Sequence, residues 1–223
     1  MFDKLVEKLK ELVGNRVPPD PSQFNDPVAE RTEWSPKKSG GANFCTHRLE
    51  QAGPMSVEFR PTVMARMLYG LFFVAGIGVL VMVVYPRLQN GTIEFDMQLI
   101  MPAVLGMVFT AVGVALLYYG GRKIVFDRRR GYFWKGHKAP DLYRPGAGSK
   151  SAVALGDIHA LQIISEFCRG SKGSSYYSYE LNLVLEDASR INVVDHGAIN
   201  KLRDDADKLA QFLGKPVWDA TKK

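Results

Sequence analysis

Two long stretches without a charged residue constrain this chain more than any other feature. Residues 67–85 and residues 97–121 contain no Asp, Glu, Lys or Arg and are 19 and 25 residues long. A helix of about 20 residues crosses the roughly 30 Å hydrocarbon core of a bilayer. We therefore predict membrane-spanning helices over residues 63–85 and 97–121, joined by a short external loop over residues 86–96. A pair of buried helices in a large soluble core is the alternative.

Basic residues flank the two spans unequally. Seven of them lie between residues 122 and 138, directly after the second span, and Arg60 and Arg66 precede the first one. The loop between the spans contains only Arg87. Because basic residues close to spans stay in the cytoplasm, we expect both termini inside and the loop outside. The opening residues carry charges throughout and lack an apolar secretory core, so the first span is expected to be an uncleaved anchor in a bacterial inner membrane.

Small residues recur inside the second span. Gly106 and Thr110 form one pair at a spacing of four, and Ala111 and Ala115 form another. Such pairs let helix backbones approach closely, which predicts packing between the two spans, with packing against a partner protein as the alternative. The uncharged stretches 67–85 and 97–121 contain no Asp, Glu, Lys, Arg or His, which argues against a proton relay or an ion pathway within the spans.

The segments before the first span differ in character. Residues 1–14 are predicted to form an amphipathic helix that lies on the membrane, on a partner or on the protein's own domain. Residues 15–43 are rich in Pro, Ser, Gly and Asn, which is typical of a flexible linker. Residues 44–61 contain two short β-like runs around a Gly-Pro turn, and we expect them to join the domain that follows the second span.

Residues 122–219 have the pattern of an antiparallel sheet or barrel closed by a helix. Apolar and polar side chains alternate along residues 175–187, which predicts a strand with one buried face and one largely wet face. Apolar residues at helical spacing follow in residues 198–214, and Gly214 ends the pattern. The fold class is therefore α+β, with a transmembrane hairpin and a domain capped by a C-terminal amphipathic helix. The predicted core beneath this helix comprises Leu181, Leu183, Leu185, Leu209 and Leu213.

The phrases LGDIHALQII, YELNLVLEDASRINVVDH and DADKLAQFLGKPVWD look like the later strands and the helix of a pleckstrin-homology-like (PH-like) domain. Over residues 44–219 the chain is similar in layout to bacterial two-span membrane proteins with a cytoplasmic PH-like domain. This resemblance implies a scaffold or assembly role. It supplies no catalytic residue, cofactor or metal ligand.

A basic cluster follows the second span directly. Arg128, Arg129 and Arg130 are expected at a hairpin tip, with Lys135 nearby. They are either topology markers or contacts to anionic lipid head groups. The net charge of +6 follows from such flanking residues, so nucleic acid is not an expected partner.

Patterns that carry enzymatic chemistry are weak in this sequence. The four histidines have no paired metal-ligand spacing, and Asp195-His196 lacks an accompanying nucleophile motif. The sequence therefore predicts a non-enzymatic membrane scaffold, assembly factor or regulatory subunit, which docks a partner protein or a second copy of itself. No cofactor or small-molecule substrate is expected. An anionic-lipid sensor is the alternative, and an accessory subunit of a membrane enzyme is a weaker one.

Overall fold

Two long apolar helices and two β-sheets account for most of the described chain. A computed structural model describes residues 19–37, 40–91, 96–141, 152–169 and 174–221. The predicted helix over residues 1–14 lies outside these ranges. Two compact units divide the chain. As far as their residues are described, the hairpin unit comprises His47–Val125 and Trp134–Ser151, and the sheet unit comprises Met1–Thr46, Phe126–Phe133 and Ala152–Lys223.

The elements follow one another in a simple order. The helices are α1 (Pro27–Arg31), α2 (Val63–Gln89), α3 (Met97–Gly120) and α4 (Ile199–Leu213). The strands are β1 (His47–Gly53), β2 (Ser56–Pro61), β3 (Ile124–Asp127), β4 (Tyr132–Lys135), β5 (Val153–Ala154), β6 (Ile158–Arg169), β7 (Ser175–Leu185), β8 (Arg190–His196) and β9 (Val217–Asp219). The first sheet has the order β1-β2-β3-β4-β5, and the second has the order β8-β7-β6-β9. In the second sheet β7 is antiparallel to β6 and β8, whereas β9 is parallel to β6. The α+β prediction is confirmed.

Both long helices begin at a capping side chain. The Thr62 hydroxyl accepts a hydrogen bond from the Ala65 amide at 3.2 Å, and the Asp96 carboxylate accepts one from the Leu99 amide at 2.8 Å. Helix α2 runs past the predicted end of the span at residue 85 and includes Pro86 in its last turns. The predicted span ended with the apolar run at residue 85. The helix continues through Arg87, because a charged residue does not by itself end a helix.

Glycines let α2 and α3 pack closely within the hairpin unit. A Cβ atom on Gly76 would lie 2.4 Å from the Thr110 amide nitrogen, and one on Gly113 would lie 2.4 Å from the Phe73 amide nitrogen. Gly106 is buried against α2 as well. Within α3, its carbonyl accepts a hydrogen bond from the Thr110 hydroxyl at 2.8 Å. The structure thus places two of the four predicted packing residues at the contact between the helices.

The other two predicted packing residues face away from this contact. Ala111 and Ala115 are exposed, because the interface repeats along α3 through Gly106, Thr110 and Gly113 instead. Large apolar side chains cover the remaining surface of the hairpin: Met67 is 70% exposed, and Met82 is 79% exposed. A helix in a soluble core would bury such side chains.

The two faces of the second sheet carry different residues and have different covers. On one face Leu181, Leu183, Leu161 and Ile163 are at most 1% exposed, and α4 contacts β6, β7 and β9. The core prediction holds for Leu181, Leu183 and Leu209, which are fully buried, whereas Leu185 and Leu213 are half-buried.

The prediction that the opposite face of β7 is largely wet is wrong. Ser178, Glu180, Asn182 and Val184 are all at most 1% exposed. Residues of the N-terminal segment cover them, and these lie within the predicted linker over residues 15–43. The segment contains a 3₁₀ turn, Pro21–Phe24, followed by α1, and the side chains of Asp20 and Asp26 cap the two starts. An aspartate followed by proline is a helix start signal, which fixes this segment locally despite its many prolines.

Candidate functional site

The best-defined polar arrangement in the sheet unit lies between the N-terminal segment and the second sheet. We call the described residues between 19 and 46 the strap. We call the polar side chains beneath it the polar face: Gln162, Glu166, Ser178, Glu180, Asn182 and Arg190. All of them except the half-buried Glu166 are buried. Charged and amide side chains reach this degree of burial only when hydrogen bonds replace those they made to water.

Arg190, at the start of β8, ties the strap to the sheet. Its guanidinium donates to the Ser35 carbonyl at 2.7 Å and to the Glu33 carboxylate at 3.0 Å. It also donates to the Gln162 side-chain oxygen at 3.3 Å, while the Gln162 amide group donates to the Glu33 carbonyl at 3.1 Å. A hydrogen bond donated by the Ser35 hydroxyl and the nearby Arg190 lower the pKa of Glu33. Arg190 thus links the strap to the second sheet through the N–H donors of its planar guanidinium group.

Two carboxylates of the polar face bind main-chain amides of the strap. Glu180 accepts a hydrogen bond from the Lys37 amide at 2.9 Å. Glu166 accepts hydrogen bonds from the Gly40 and Gly41 amides at 3.0 and 3.3 Å. The backbone approaches closely at the second glycine, since a Cβ atom on Gly41 would lie 2.2 Å from the Ser178 hydroxyl oxygen. The sheet therefore recognises this part of the strap through its backbone and through the lack of a side chain.

The hydrogen bonding of the polar face is incomplete. Within the described part of the chain, the buried Ser178 hydroxyl oxygen and the buried Asn182 side-chain oxygen have no hydrogen-bond partner. The Asn182 amide group does donate, at 3.3 Å to Gln162 and at 3.2 Å to Glu180. Leaving a buried polar atom unsatisfied costs about 1–3 kcal/mol. The described strap residues cover these two atoms but form no hydrogen bond with them.

Aromatic rings hold the other end of the strap. The Phe24 and Trp34 rings stack with centroids 5.0 Å apart, and both lie about 6 Å from the Trp218 ring. The Trp34 indole donates to the Ala29 carbonyl at 3.0 Å. The rings pack on a small apolar core that includes Val184. This end is apolar and mutually packed, unlike the end near Glu166.

A histidine bridges two carboxylates at the edge of this aromatic cluster. His159 contacts the Asp26 carboxylate through Nε2 at 2.8 Å and the Glu186 carboxylate through Nδ1 at 2.9 Å. Partial burial acts to lower the pKa of His159, but the two carboxylates raise it above its ordinary value. Burial acts to raise the pKa of Asp26, yet hydrogen bonds from His159 and from the Val28 amide lower it. The imidazolium form is the one that donates to both carboxylates.

Cys45 and His196 meet where the strap leaves the sheet. The Cys45 sulfur lies 3.1 Å from Nε2 of the buried His196, whose Nδ1 accepts a hydrogen bond from the Ala198 amide at 3.3 Å. An amide can only donate, so the neutral imidazole carries its proton on Nε2 and points it at the sulfur. A histidine that activates a thiol needs the opposite arrangement, with a free lone pair facing the sulfur.

The structure places the predicted basic site residues in different surroundings. The Arg128 guanidinium donates to the Phe212 carbonyl and lies 4.5 Å from the Phe212 ring centroid. Arg130 forms an ion pair with Asp127 at 3.8 Å. Arg129 is exposed. The contact of these arginines with lipid stays a prediction, with two of the three guanidinium groups already engaged within the protein.

The fourth basic residue of that prediction, Lys135, ends β4 and is half-buried. The sequence interpretation missed Glu33, His159, Glu180 and Arg190 altogether. Polar residues in alternation along a strand indicate a solvated face by default, and only the Asp-Pro pairs at residues 20–21 and 26–27 signalled that a structured segment covers it.

In comparisons with known proteins, no family model matches the chain, and no curated protein matches it either. Among the described residues, no group of three or more His, Cys, Asp and Glu side chains is arranged to hold a metal ion. The geometry itself shows a sheet face that binds a polypeptide segment in cis. That binding uses the carboxylates of Glu166 and Glu180, the guanidinium of Arg190 and the side-chain amide of Gln162.

Proposed function

We propose that this chain is a non-enzymatic integral membrane protein with two spans, which docks a partner protein through a cytoplasmic PH-like domain. The membrane is a bacterial inner membrane in this proposal, and both termini lie in the cytoplasm. The role is that of a scaffold, an assembly factor or a regulatory subunit.

The exposed apolar surface of α2 and α3 carries the membrane part of the proposal. The two helices are 27 and 24 residues long, and both are apolar enough to cross a bilayer. Their large side chains point outward, as at Val74, which is 65% exposed, and at Met101, which is 63% exposed. Soluble proteins rarely expose apolar patches larger than a few hundred Å², whereas a bilayer is the natural solvent for this surface.

The ends of the hairpin support the proposed orientation. At the end near the strands, Arg66 donates to the Pro61 carbonyl at 3.2 Å and the Arg122 guanidinium lies 4.4 Å from the Tyr119 ring centroid. At the opposite end Arg87 and Asp96 form an ion pair at 3.3 Å. Basic and aromatic residues at one end, with a neutralised arginine at the other, fit an inner and an outer interface.

The order of elements supports a PH-like domain. Antiparallel strands make up both sheets apart from the short β9, and the amphipathic α4 follows the last long strand. In this proposal the membrane hairpin is an insertion between β2 and β3, so that residues on both sides of it contribute to one cytoplasmic part.

The polar face supports the docking role. It already binds a polypeptide segment, through the amides of Lys37, Gly40 and Gly41 and through the carbonyl of Ser35. A surface with these contacts is equipped for protein recognition. The lipid-sensing alternative has less support, because Arg128 and Arg130 have partners inside the sheet unit.

Topology reporters test the membrane part. A reporter fused after Lys223 should behave as cytoplasmic, and one inserted at Asn90 as external. An insertion at the exposed Met55, in the β1–β2 turn, is the matched control and should behave as cytoplasmic. An external signal at Lys223 or Met55 would contradict the proposed orientation.

Purification in mild detergent tests the docking part. A stoichiometric protein partner should copurify with the wild-type chain and with a variant in which Arg128, Arg129 and Arg130 are glutamine. If the chain instead binds anionic vesicles and the triple variant does not, the lipid-sensing function is the correct one.

A further inference from the structure

We propose that the polar face is the surface that receives the partner, and that the described strap residues between 35 and 41, which are 35–37, 40 and 41, occupy it as a replaceable ligand in cis. The partner contributes a polypeptide segment that takes the place of these residues. This inference rests on the proposed docking function and names its surface.

The contacts of residues 35–41 are of a kind that another chain can reproduce. The sheet binds the Ser35 carbonyl and the amides of Lys37, Gly40 and Gly41. These are main-chain groups, which every polypeptide presents. Recognition of extended segments through main-chain hydrogen bonds is a common mode of peptide binding.

Two buried polar atoms of the polar face form no hydrogen bond with the strap. A ligand that supplies the missing hydrogen-bond partners would bind the polar face more tightly. The buried side-chain oxygen of Asn182 has no donor, and the buried Ser178 hydroxyl has no partner within the described chain. A partner segment with a donor side chain such as Lys, Arg, Asn or Gln above Asn182 would satisfy the first atom. Because satisfying a buried polar atom removes a penalty, such a segment binds the face more completely than the strap does.

The fit at Ser178 restricts the partner further. Any side chain at the position of Gly41 would come within 2.2 Å of the Ser178 oxygen, so the segment needs a glycine there. Opposite Arg190 it needs an acceptor, which the strap provides with a carbonyl and the carboxylate of Glu33. The expected ligand is thus an extended segment with an acidic residue, a donor side chain and a glycine.

One end of the strap can dissociate from the polar face while the aromatic end stays bound to the domain. Phe24 and Trp34 pack with Trp218, and this apolar contact is independent of the carboxylates. The contacts with the polar face described above for Ser35, Lys37, Gly40 and Gly41 are hydrogen bonds, apart from the close approach at Gly41. Release of these residues therefore uncovers Glu166 and Glu180 while the aromatic end remains bound.

Gly41→Ala in the full chain, reconstituted in nanodiscs, tests the proposal. The added Cβ atom would lie 2.2 Å from the Ser178 hydroxyl oxygen and is expected to displace the strap around position 41, while the sequence of the polar face is unchanged. Gly156→Ala is the matched control, because its Cβ atom would meet nothing within 4 Å. The probe is a fluorescent peptide with the sequence of residues 33–46, and a peptide carrying alanine at position 41 is its control.

The strap in cis competes with the peptide at a high effective concentration, so we expect the Gly41→Ala protein to bind the peptide at least about tenfold more tightly than the wild type or Gly156→Ala. The control peptide should bind none of them. Hydrogen exchange should show faster exchange at residues 35–37, 40 and 41 of Gly41→Ala and unchanged exchange in α4.

Equal peptide binding by the wild type and Gly41→Ala would overturn the proposal, and so would unchanged exchange at residues 35–37, 40 and 41. If exchange in α4 shows that Gly41→Ala has lost its fold, Lys37→Pro carries the same test, since proline lacks the amide that donates to Glu180 and leaves every side chain of the polar face unchanged. The peptide assay needs neither a partner nor a particular topology. If the peptide assay fails, the polar face is not the docking surface. The proposed scaffold function would still be tested separately by the copurification experiment.

Discussion

The two faces of the second sheet are covered in opposite ways. Beneath α4 the sheet presents Leu181 and Leu183, and the cover is apolar. Beneath the strap end that follows Trp34 it presents Glu180, Asn182 and Arg190, and this end of the cover is held largely by directional hydrogen bonds, in contrast to the aromatic end. Apolar burial stabilises in proportion to area and tolerates small shifts, whereas a polar contact contributes little net free energy and is costly when one partner is missing.

This difference assigns separate tasks to the two covers. The α4 face supplies the stability of the sheet unit, since its side chains gain free energy wherever they are kept from water. The strap face supplies specificity, because only a segment with suitably placed donors and acceptors satisfies it. A cover that is specific but weakly stabilising is one that binding of another chain can replace.

The α4 face should give the largest effect on stability. Leu209 is fully buried, and replacing a buried leucine by alanine typically costs about 2–5 kcal/mol. We expect Leu209→Ala to lower the free energy of unfolding by an amount in this range, measured by thermal or denaturant melts. Lys208→Ala, at an exposed neighbouring position, is the control and should change little. Equal melts of the two variants would show that α4 does not form this core.

Arg190 tests the strap face at its most connected residue. Its side chain is buried and donates to Ser35, Glu33 and Gln162. Since a hydrogen bond to a charged group contributes about 1.5–3 kcal/mol, Arg190→Met should destabilise the docked strap by roughly that amount. The measurement is hydrogen exchange of residues 19–37 relative to α4.

Glu33→Gln is the control for the Arg190 experiment. Its side chain is largely exposed, and the variant keeps the Ser35 contact, so it should loosen the strap much less than Arg190→Met does. If Arg190→Met slows unfolding or leaves strap exchange unchanged, the polar face does not hold the strap.

A pH dependence should distinguish the two faces without any mutation. The pKa of His159 is raised by Asp26 and Glu186, so its contribution is fully present below its ordinary value of 6.5 and is lost as the pH rises through the raised pKa. The pKa of Asp26 is lowered, so its contribution is lost only as the pH falls through that lowered value. We expect strap exchange to quicken as the pH rises above 6.5 and through the raised pKa of His159, after correction for intrinsic exchange.

His159→Gln serves as the control for this pH dependence. It keeps a polar side chain near Asp26 but cannot ionise, so strap exchange in this variant should no longer respond to the pH interval in which His159 titrates. Glu186 and the Trp218 ring also contact His159 among the described residues. A wild-type pH response that persists in His159→Gln would assign the effect to another group.

Ser178 should give the smallest effect, and it is expected to be of opposite sign. Its buried hydroxyl oxygen lacks a hydrogen-bond partner in the described chain, so Ser178→Ala removes a desolvation penalty and should leave the melting temperature equal or slightly higher. Thr32→Val is the control, because the buried Thr32 hydroxyl donates to the Val28 carbonyl at 2.7 Å. That change should lower the melting temperature, and a loss of similar size in Ser178→Ala would show that its hydroxyl is satisfied.

The α4 face was predictable from the sequence, and the strap face was not. The spacing of Leu202, Leu209 and the alternating leucines of β7 determines the apolar face directly, because burial follows hydrophobic periodicity. Glu180 and Asn182 have the same spacing as solvated residues, and nothing local distinguishes them. Their burial depends on the strap, in which the Lys37 amide donates to Glu180 and Glu33 binds Gln162 and Arg190 beside Asn182, more than a hundred positions away in the sequence.

The contact between α2 and α3 was also only partly predictable from the sequence. Length and lack of charge predict α2 and α3, and the spacing of Gly106 and Thr110 identifies part of their contact. Gly76 and Gly113 form the rest of it, although nothing in their local sequence distinguishes them from glycines such as Gly70 and Gly78, whose Cβ atoms would meet nothing. The rotation of one helix against the other decides which glycines are needed.

Hydrogen exchange of the full chain in nanodiscs tests most directly whether the two covers differ in kind. We expect strap residues 35–37 and 40–41 to exchange through a local opening, with a much lower protection than the buried turns of α4 around Ala206 and Leu209. Protection of α4 should reach the value for global unfolding. If the strap and α4 instead showed the same protection and lost it together, the strap would be a permanent part of the core, and the account of a replaceable cover would be contradicted.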